Sequence, residues 1–175
     1  MNKRWVSNTS PLILLNKIGY LPLLTELCAE LIIPKGVIDE LFFHKEEQLR
    51  WELLLSSKKV ITLKAPLQIP PDVAGWDLGK GESEVITFAV EHPGCNVILD
   101  DLQARKCAHT FNVSVMGTVG IILFAKKKRH IAEASPLIKL LIESGLRFDI
   151  SWITKALELV HERFEIRETE RNDRT

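Results

Sequence analysis

Short apolar runs alternate with amphipathic stretches along this chain, and the alternation predicts β-strands separated by helices. Trp5–Val6–Ser7, Leu31–Ile32–Ile33, Val60–Ile61–Thr62–Leu63, Val97–Ile98–Leu99 and Val113 to Met116 read as strands. Thr9–Ser10–Pro11 reads as a helix entry: Ser10 is a natural cap, and proline is tolerated in a first turn. Leu12, Leu15 and Ile18 then share one helical face before Gly19 ends the turn. Further helices are predicted over residues 22–27, 37–42, 46–55, 82–91 and 102–110. Residues 65–77, with Pro66, Pro70 and Pro71, read as a loop. From Thr118 onward the pattern is helical, over 119–128, 137–143 and 153–162. The expected domain is 1–162, followed by a charged tail, 163–175; its stretch from Glu165 to Thr175 lacks an apolar stripe and is expected to fray or to follow a partner.

Strands alternating with helices, without hairpin signals, argue for an α/β fold. The expectation is three layers, α/β/α, around a mainly parallel sheet, with extra helices at the C-terminus. Right-handed crossovers would bring the strand carboxyl ends to one edge. That edge would gather Asn8, Asp100 and Asp101, with Glu40 and Glu82 or Glu84 projecting from the helices that follow.

Composition narrows the picture. The chain has 175 residues, 46% of them hydrophobic, which suits one packed domain and argues against disorder. Lys plus Arg and Asp plus Glu each number 23, so attraction to nucleic acid must come from a local patch. Cys28, Cys95 and Cys107 show no C-x-x-C spacing and are expected as buried, reduced thiols, with the cytoplasm as the default location. The apolar stretch from Pro11 to Leu15 is too short for a signal peptide or a membrane span. The five histidines show no ligand spacing, and Gly79 and Gly81 are not followed by the G-K-[ST] of a phosphate loop. Leu49, Trp51 and Trp152 read as core or interface positions.

The chemistry-bearing residues are acids. Val97–Ile98–Leu99 runs straight into Asp100–Asp101, Gly79–Lys80–Gly81–Glu82–Ser83–Glu84 opens a helix, and Glu40 follows the strand Leu31 to Ile33. Carboxylates gathered from separated strand ends suit a hard divalent cation and phosphate chemistry. Each also has a plainer role. Glu82 and Glu84 would favour a helix N-terminus, Glu40 beside Asp39 would sit on a solvated face, and Asp100–Asp101 would cap a helix. A phospho-receiver domain is disfavoured, because its acid pair follows the first strand and this one follows a late strand.

Four segments resemble the PIN-domain proteins: Val6 to Ile13, Ile32–Ile33–Pro34 with Val37 to Glu40, Gly79 to Glu84, and Leu99–Asp100–Asp101 with Ala104–Arg105. More narrowly they look like the PIN-like branch related to VapC toxins, as does Val115–Met116–Gly117–Thr118–Val119–Gly120. The resemblance implies a metal-dependent nuclease, usually acting on RNA, with acids holding Mg²⁺ or Mn²⁺. By position, Glu40 matches the second acid, Glu84 the third with Glu82 close behind, and Asp101 the fourth, assisted by Asp100. Ser10 and Thr118 would support them. The departure is Asn8, where most active members carry the first aspartate. Its amide oxygen can still ligate a cation but adds no charge. The likeness thus leaves two readings: a ribonuclease, the toxin of a toxin–antitoxin pair with an antitoxin protein as partner, or a catalytically weakened module that binds RNA or protein. Arg105, Lys106, Lys126 and Lys127 are the candidate phosphate contacts, although Lys126 to Arg129 would also favour a helix C-terminus. Leu12, Leu15, Leu49 and Leu53 suggest a homodimer face.

Overall fold

The computed structural model describes residues 3–43, 48–147 and 149–163. The first residues of the helix expected over 46–55, His44, and the tail from Glu165 to Thr175 lie outside the described residues. The element order is β1 (Arg4–Ser7), α1 (Thr9–Lys17), α2 (Leu23–Leu27), β2 (Glu30–Ile33), α3 (Lys35–Phe43), α4 (Gln48–Leu55) and β3 (Val60–Thr62). It continues with α5 (Pro71–Ala74), α6 (Lys80–Glu91), β4 (Asn96–Ile98), α7 (Leu102–Thr110), β5 (Ser114–Met116), α8 (Thr118–Lys127), α9 (Ser135–Glu143) and α10 (Ile150–Glu158).

The five strands form one parallel sheet in the order β3-β2-β1-β4-β5, the core of a three-layer α/β fold. Val6 pairs with Ile32 on one side and Val97 on the other, and all three are fully buried. A parallel strand covered on both faces must be apolar along its length, which is why these strands read as runs. The chain builds β2 and β3 on one side of β1, then returns to place β4 and β5 on the other. The carboxyl ends of β1 and β4 therefore flank the point where strand order reverses, the usual ligand crevice of such sheets.

Three local expectations change. Residues 65–77 contain α5, because Pro71 stands at the start of a helix, where its missing N–H costs nothing. Ser10 is not a cap: α1 begins at Thr9 behind Asn8, and Ser10 is exposed in the first turn. Leu12 and Leu15 are fully buried core residues, whereas Leu49 and Leu53 are 70% and 65% exposed. Only the second pair remains available to a partner. The three cysteines are free and buried, and burial pushes the Cys28 and Cys95 thiols up to about 11.

Two compact units divide the chain, Met1–Ile121 and Ile122–Thr175. In the second, Ile138, Leu141, Ile153 and Leu157 are fully buried. The Glu162 carboxylate fastens this unit by accepting the Ala134 and Ser135 backbone N–H groups at 2.9 and 2.8 Å and pairing with Lys126 at 2.9 Å. Among the described residues no helix is long and apolar enough to cross a membrane.

The corrected packing has a direct consequence. Leu12→Ala should cost about 3 kcal/mol in urea denaturation, as a fully buried leucine leaving a cavity does. Leu49→Ala should stay within about 0.5 kcal/mol. Equal effects would contradict the placement of the two residues.

Candidate functional site

Asn8 stands where β1 ends and α1 begins. Its backbone N–H donates to Ile98 O at 3.1 Å, which joins the ends of β1 and β4. The residue is 6% exposed. The amide Nδ2 donates to Glu82 Oε1 across 3.4 Å, the orientation an acceptor-only carboxylate requires. That leaves Asn8 Oδ1 buried without a hydrogen-bond partner among the described residues. An orphaned buried oxygen is costly and marks either strain or a ligand position.

Glu40 enters from α3. Thr9, next to Asn8, donates its hydroxyl to Glu40 Oε2, and the Gly81 N–H donates to Oε1 at 3.3 Å. Gly81 must be small: a Cβ there would lie 2.9 Å from Asn8 Oδ1 and 3.0 Å from Glu40 Oε1. Asn8, Glu40 and the first turn of α6 thus close on one space. Glu82, in that turn, accepts the Gly79 N–H at 3.2 Å and faces Asn8. Burial first, then the negative charges of Asp101 and Glu40, hold the Glu82 carboxyl above its usual range, against the Gly79 hydrogen bond.

Glu84 is placed differently. It is 1% exposed, and its Oε2 accepts the Gly36 N–H at 2.8 Å, so its carboxylate caps the first turn of α3. Of the two acids expected from α6, Glu82 is therefore the one that meets Asn8. Asp100 is also committed. It accepts the Thr118 N–H at 2.8 Å and the Thr118 hydroxyl, which fixes the start of α8. Burial raises its carboxyl, opposed by the Thr118 bonds and the Arg105 guanidinium. Asp101 is exposed and caps α7, its Oδ1 accepting the Ala104 N–H at 2.8 Å.

The hydroxyl that meets an acid is that of Thr9, where Ser10 was expected. Thr118 does support an acid, namely Asp100. Thr9 and Gly81 carried no signal of their own beyond standing beside Asn8 and Glu82. Of the expected phosphate contacts, Arg105 donates to Leu99 O at 3.1 Å beside Asp100, and Lys106 is exposed on α7. Lys126 pairs with Glu162 and donates to Ala132 O in the second unit, and Lys127 is exposed.

The donors suit a hard cation: carboxylate and amide oxygens, with an unpartnered Oδ1 and mutual repulsion that a cation would relieve. Among the described residues no three acids, histidines or cysteines are drawn into a ready-made metal cage. Thr9, Gly79, Gly81 and the Asn8 amide instead occupy the carboxylates.

A family model described as PIN domain matches residues 4–162. The chain belongs to the PIN-domain family, which points to nuclease-type chemistry, generally served by divalent metal ions. No curated protein matches it.

The two glutamates of α6 should separate experimentally. Glu84→Ala should lose about 2 kcal/mol of stability, since it removes a buried cap. Glu82→Gln should melt higher than the parent protein in EDTA at neutral pH. The raised carboxyl binds its proton more tightly folded than unfolded, so its ionisation costs stability. That cost is complete above the folded pKa and vanishes below the usual value of 4.5, so the gain should fade as pH falls towards it. Thermal melts across pH would show both effects, and a lower melting temperature for Glu82→Gln at neutral pH would reverse the electrostatic reading.

Proposed function

We propose that this protein is a Mg²⁺- or Mn²⁺-dependent endoribonuclease, with Glu40, Glu82 and Asp101 as cation-holding acids and Asn8 Oδ1 as a neutral donor. The observation that carries this reading is the convergence of Glu40, Glu82 and an unpartnered buried Asn8 Oδ1 at the sheet's switch point. Glu84 and Asp100, expected among the ligands, act as positioning residues by holding α3 and α8. A bound divalent cation there would supply Lewis-acid neutralisation of phosphodiester charge and lower the pKa of an attacking water. Thr9 holds Glu40, and the Gly79 amide holds Glu82, so both carboxylates are oriented. Arg105, anchored on Leu99 O, brings a positive charge to the same edge for the substrate phosphate.

Asn8 also supports a second reading, a PIN-fold module that binds RNA with little or no cleavage. The amide donates to Glu82, which stabilises the metal-free state; an aspartate would repel it. Asn8→Asp should therefore lower stability in EDTA, tighten Mn²⁺ binding in calorimetry and increase cleavage of single-stranded RNA at limiting Mg²⁺. Asp101→Asn supplies the blank. Cleavage by neither the parent protein nor Asn8→Asp, even at saturating Mn²⁺, would leave only the binding reading.

The proposal extends to the cytoplasmic toxin of a toxin–antitoxin pair, with an antitoxin protein as partner and a homodimer as the assembly. Exposed Leu49 and Leu53 on α4 support self-association. Leu49→Glu with Leu53→Glu should shift sedimentation from dimer to monomer. A parent protein that sediments only as monomer would dispose of the dimer.

A further inference from the structure

We propose that Lys35 and Lys80, drawn together by Asp39, form a phosphate clamp at the rim of the carboxylate site that holds the RNA backbone beside it. The inference rests on the ribonuclease reading above and names residues that neither the acid pattern nor the basic run Lys126 to Arg129 indicated.

Lys35 is the first residue of α3 and Lys80 the first of α6. Both ammonium groups reach the Asp39 carboxylate, Lys35 onto Oδ1 and Lys80 at 3.5 Å from Oδ2. Asp39 and Lys80 directly precede Glu40 and Gly81, which are themselves joined by the Gly81 N–H. The clamp thus stands beside the acids on the same contact between α3 and α6. The Lys80 stem passes close over Gly36, its Cγ 3.1 Å from where a Gly36 Cβ would stand.

Stability does not explain this arrangement. A cation at a helix N-terminus opposes the macrodipole, and here two helices each begin with one. The three side chains are between 36% and 57% exposed, and ion pairs so exposed stabilise little. Glu84 already takes the Gly36 amide, so the ammonium groups are what this rim offers an incoming anion. Two lysines against one aspartate leave this trio a net charge of +1 on a chain of zero net charge. Asp39 holds both in place until a phosphate competes with it. A single-stranded RNA whose scissile phosphate faces Glu40 and Glu82 would set a neighbouring phosphate on this pair.

The test is equilibrium binding of a short fluorescent single-stranded RNA to the full chain in EDTA, where cleavage is silent, over a range of salt. Lys35→Gln and Lys80→Gln should each weaken binding several-fold at low salt and flatten the plot of log K against log salt by about 0.7. Asp39→Asn should tighten binding, because it frees both cations. Lys58→Gln removes the same charge at the amino end of β3, on the opposite edge of the sheet, and should bind like the parent protein. Lysine variants that bind RNA as the parent does, while melting lower, would overturn the clamp in favour of a helix-to-helix staple and leave the ribonuclease reading standing. A parent protein that neither binds nor cleaves RNA would remove both. Equal weakening by Lys58→Gln would also overturn the clamp, since overall charge alone would then govern binding.

Discussion

The hydrogen bond from the Asn8 backbone to Ile98 O fastens the carboxyl ends of β1 and β4 at the one place where strand order reverses. Parallel strands leave their carboxyl ends on a common edge, and the reversal opens a crevice because the following helices depart in opposite directions. Asn8 lies on one lip, and the Asp100–Asp101 pair on the other. With α3 and α6 meeting over the same edge, Glu40 and Glu82 face into the gap. Loss of the β1–β4 register would separate these groups even if every helix persisted.

Acids crowded into a partly dry space repel one another, and this chain limits the cost in two ways. It assigns several of them to helix termini: Glu84 to α3, Asp101 to α7 and Asp100 to α8. A carboxylate at a helix N-terminus is stabilised by unpaired amides and by the macrodipole. It also places a neutral amide at position 8, which donates to Glu82 where a further carboxylate would repel it. The amide avoids that repulsion and leaves this space with one negative charge fewer. In the proposed site, stability and metal affinity would draw on the same side chains, so a substitution at Asn8 or Glu82 should move them in opposite directions.

Two lysines at the starts of α3 and α6 add positive charge where the helix termini already supply some. Asp39 is shared between the two lysines, one residue from Glu40 on α3. Opposite charges are therefore interleaved along the α3–α6 contact, with Asp39 bridging the two ammonium groups.

The strands were legible in the sequence because a sheet covered on both faces demands unbroken apolar runs, and Val6, Ile32 and Val97 obey that demand. The helix at Leu102–Thr110 was equally plain, with Asp101 before it as its cap. Placing Asn8, Glu40 and the Asp100–Asp101 pair on one edge followed from parallel topology alone. Choosing between Glu82 and Glu84 did not, since two residues on a helix differ by about 200° of rotation and point to opposite faces. Only the docking of α6 against α3 decided that Glu82 meets Asn8 while Glu84 turns to the Gly36 amide. A single step of about 100° likewise separates Thr9, the partner of Glu40, from the exposed Ser10. Packing likewise buried Leu12 and Leu15 and left Leu49 and Leu53 outside, although all four read as apolar helix positions. Local pattern determines which faces are apolar; tertiary contact determines which of them is covered, and which carboxylate then faces the site.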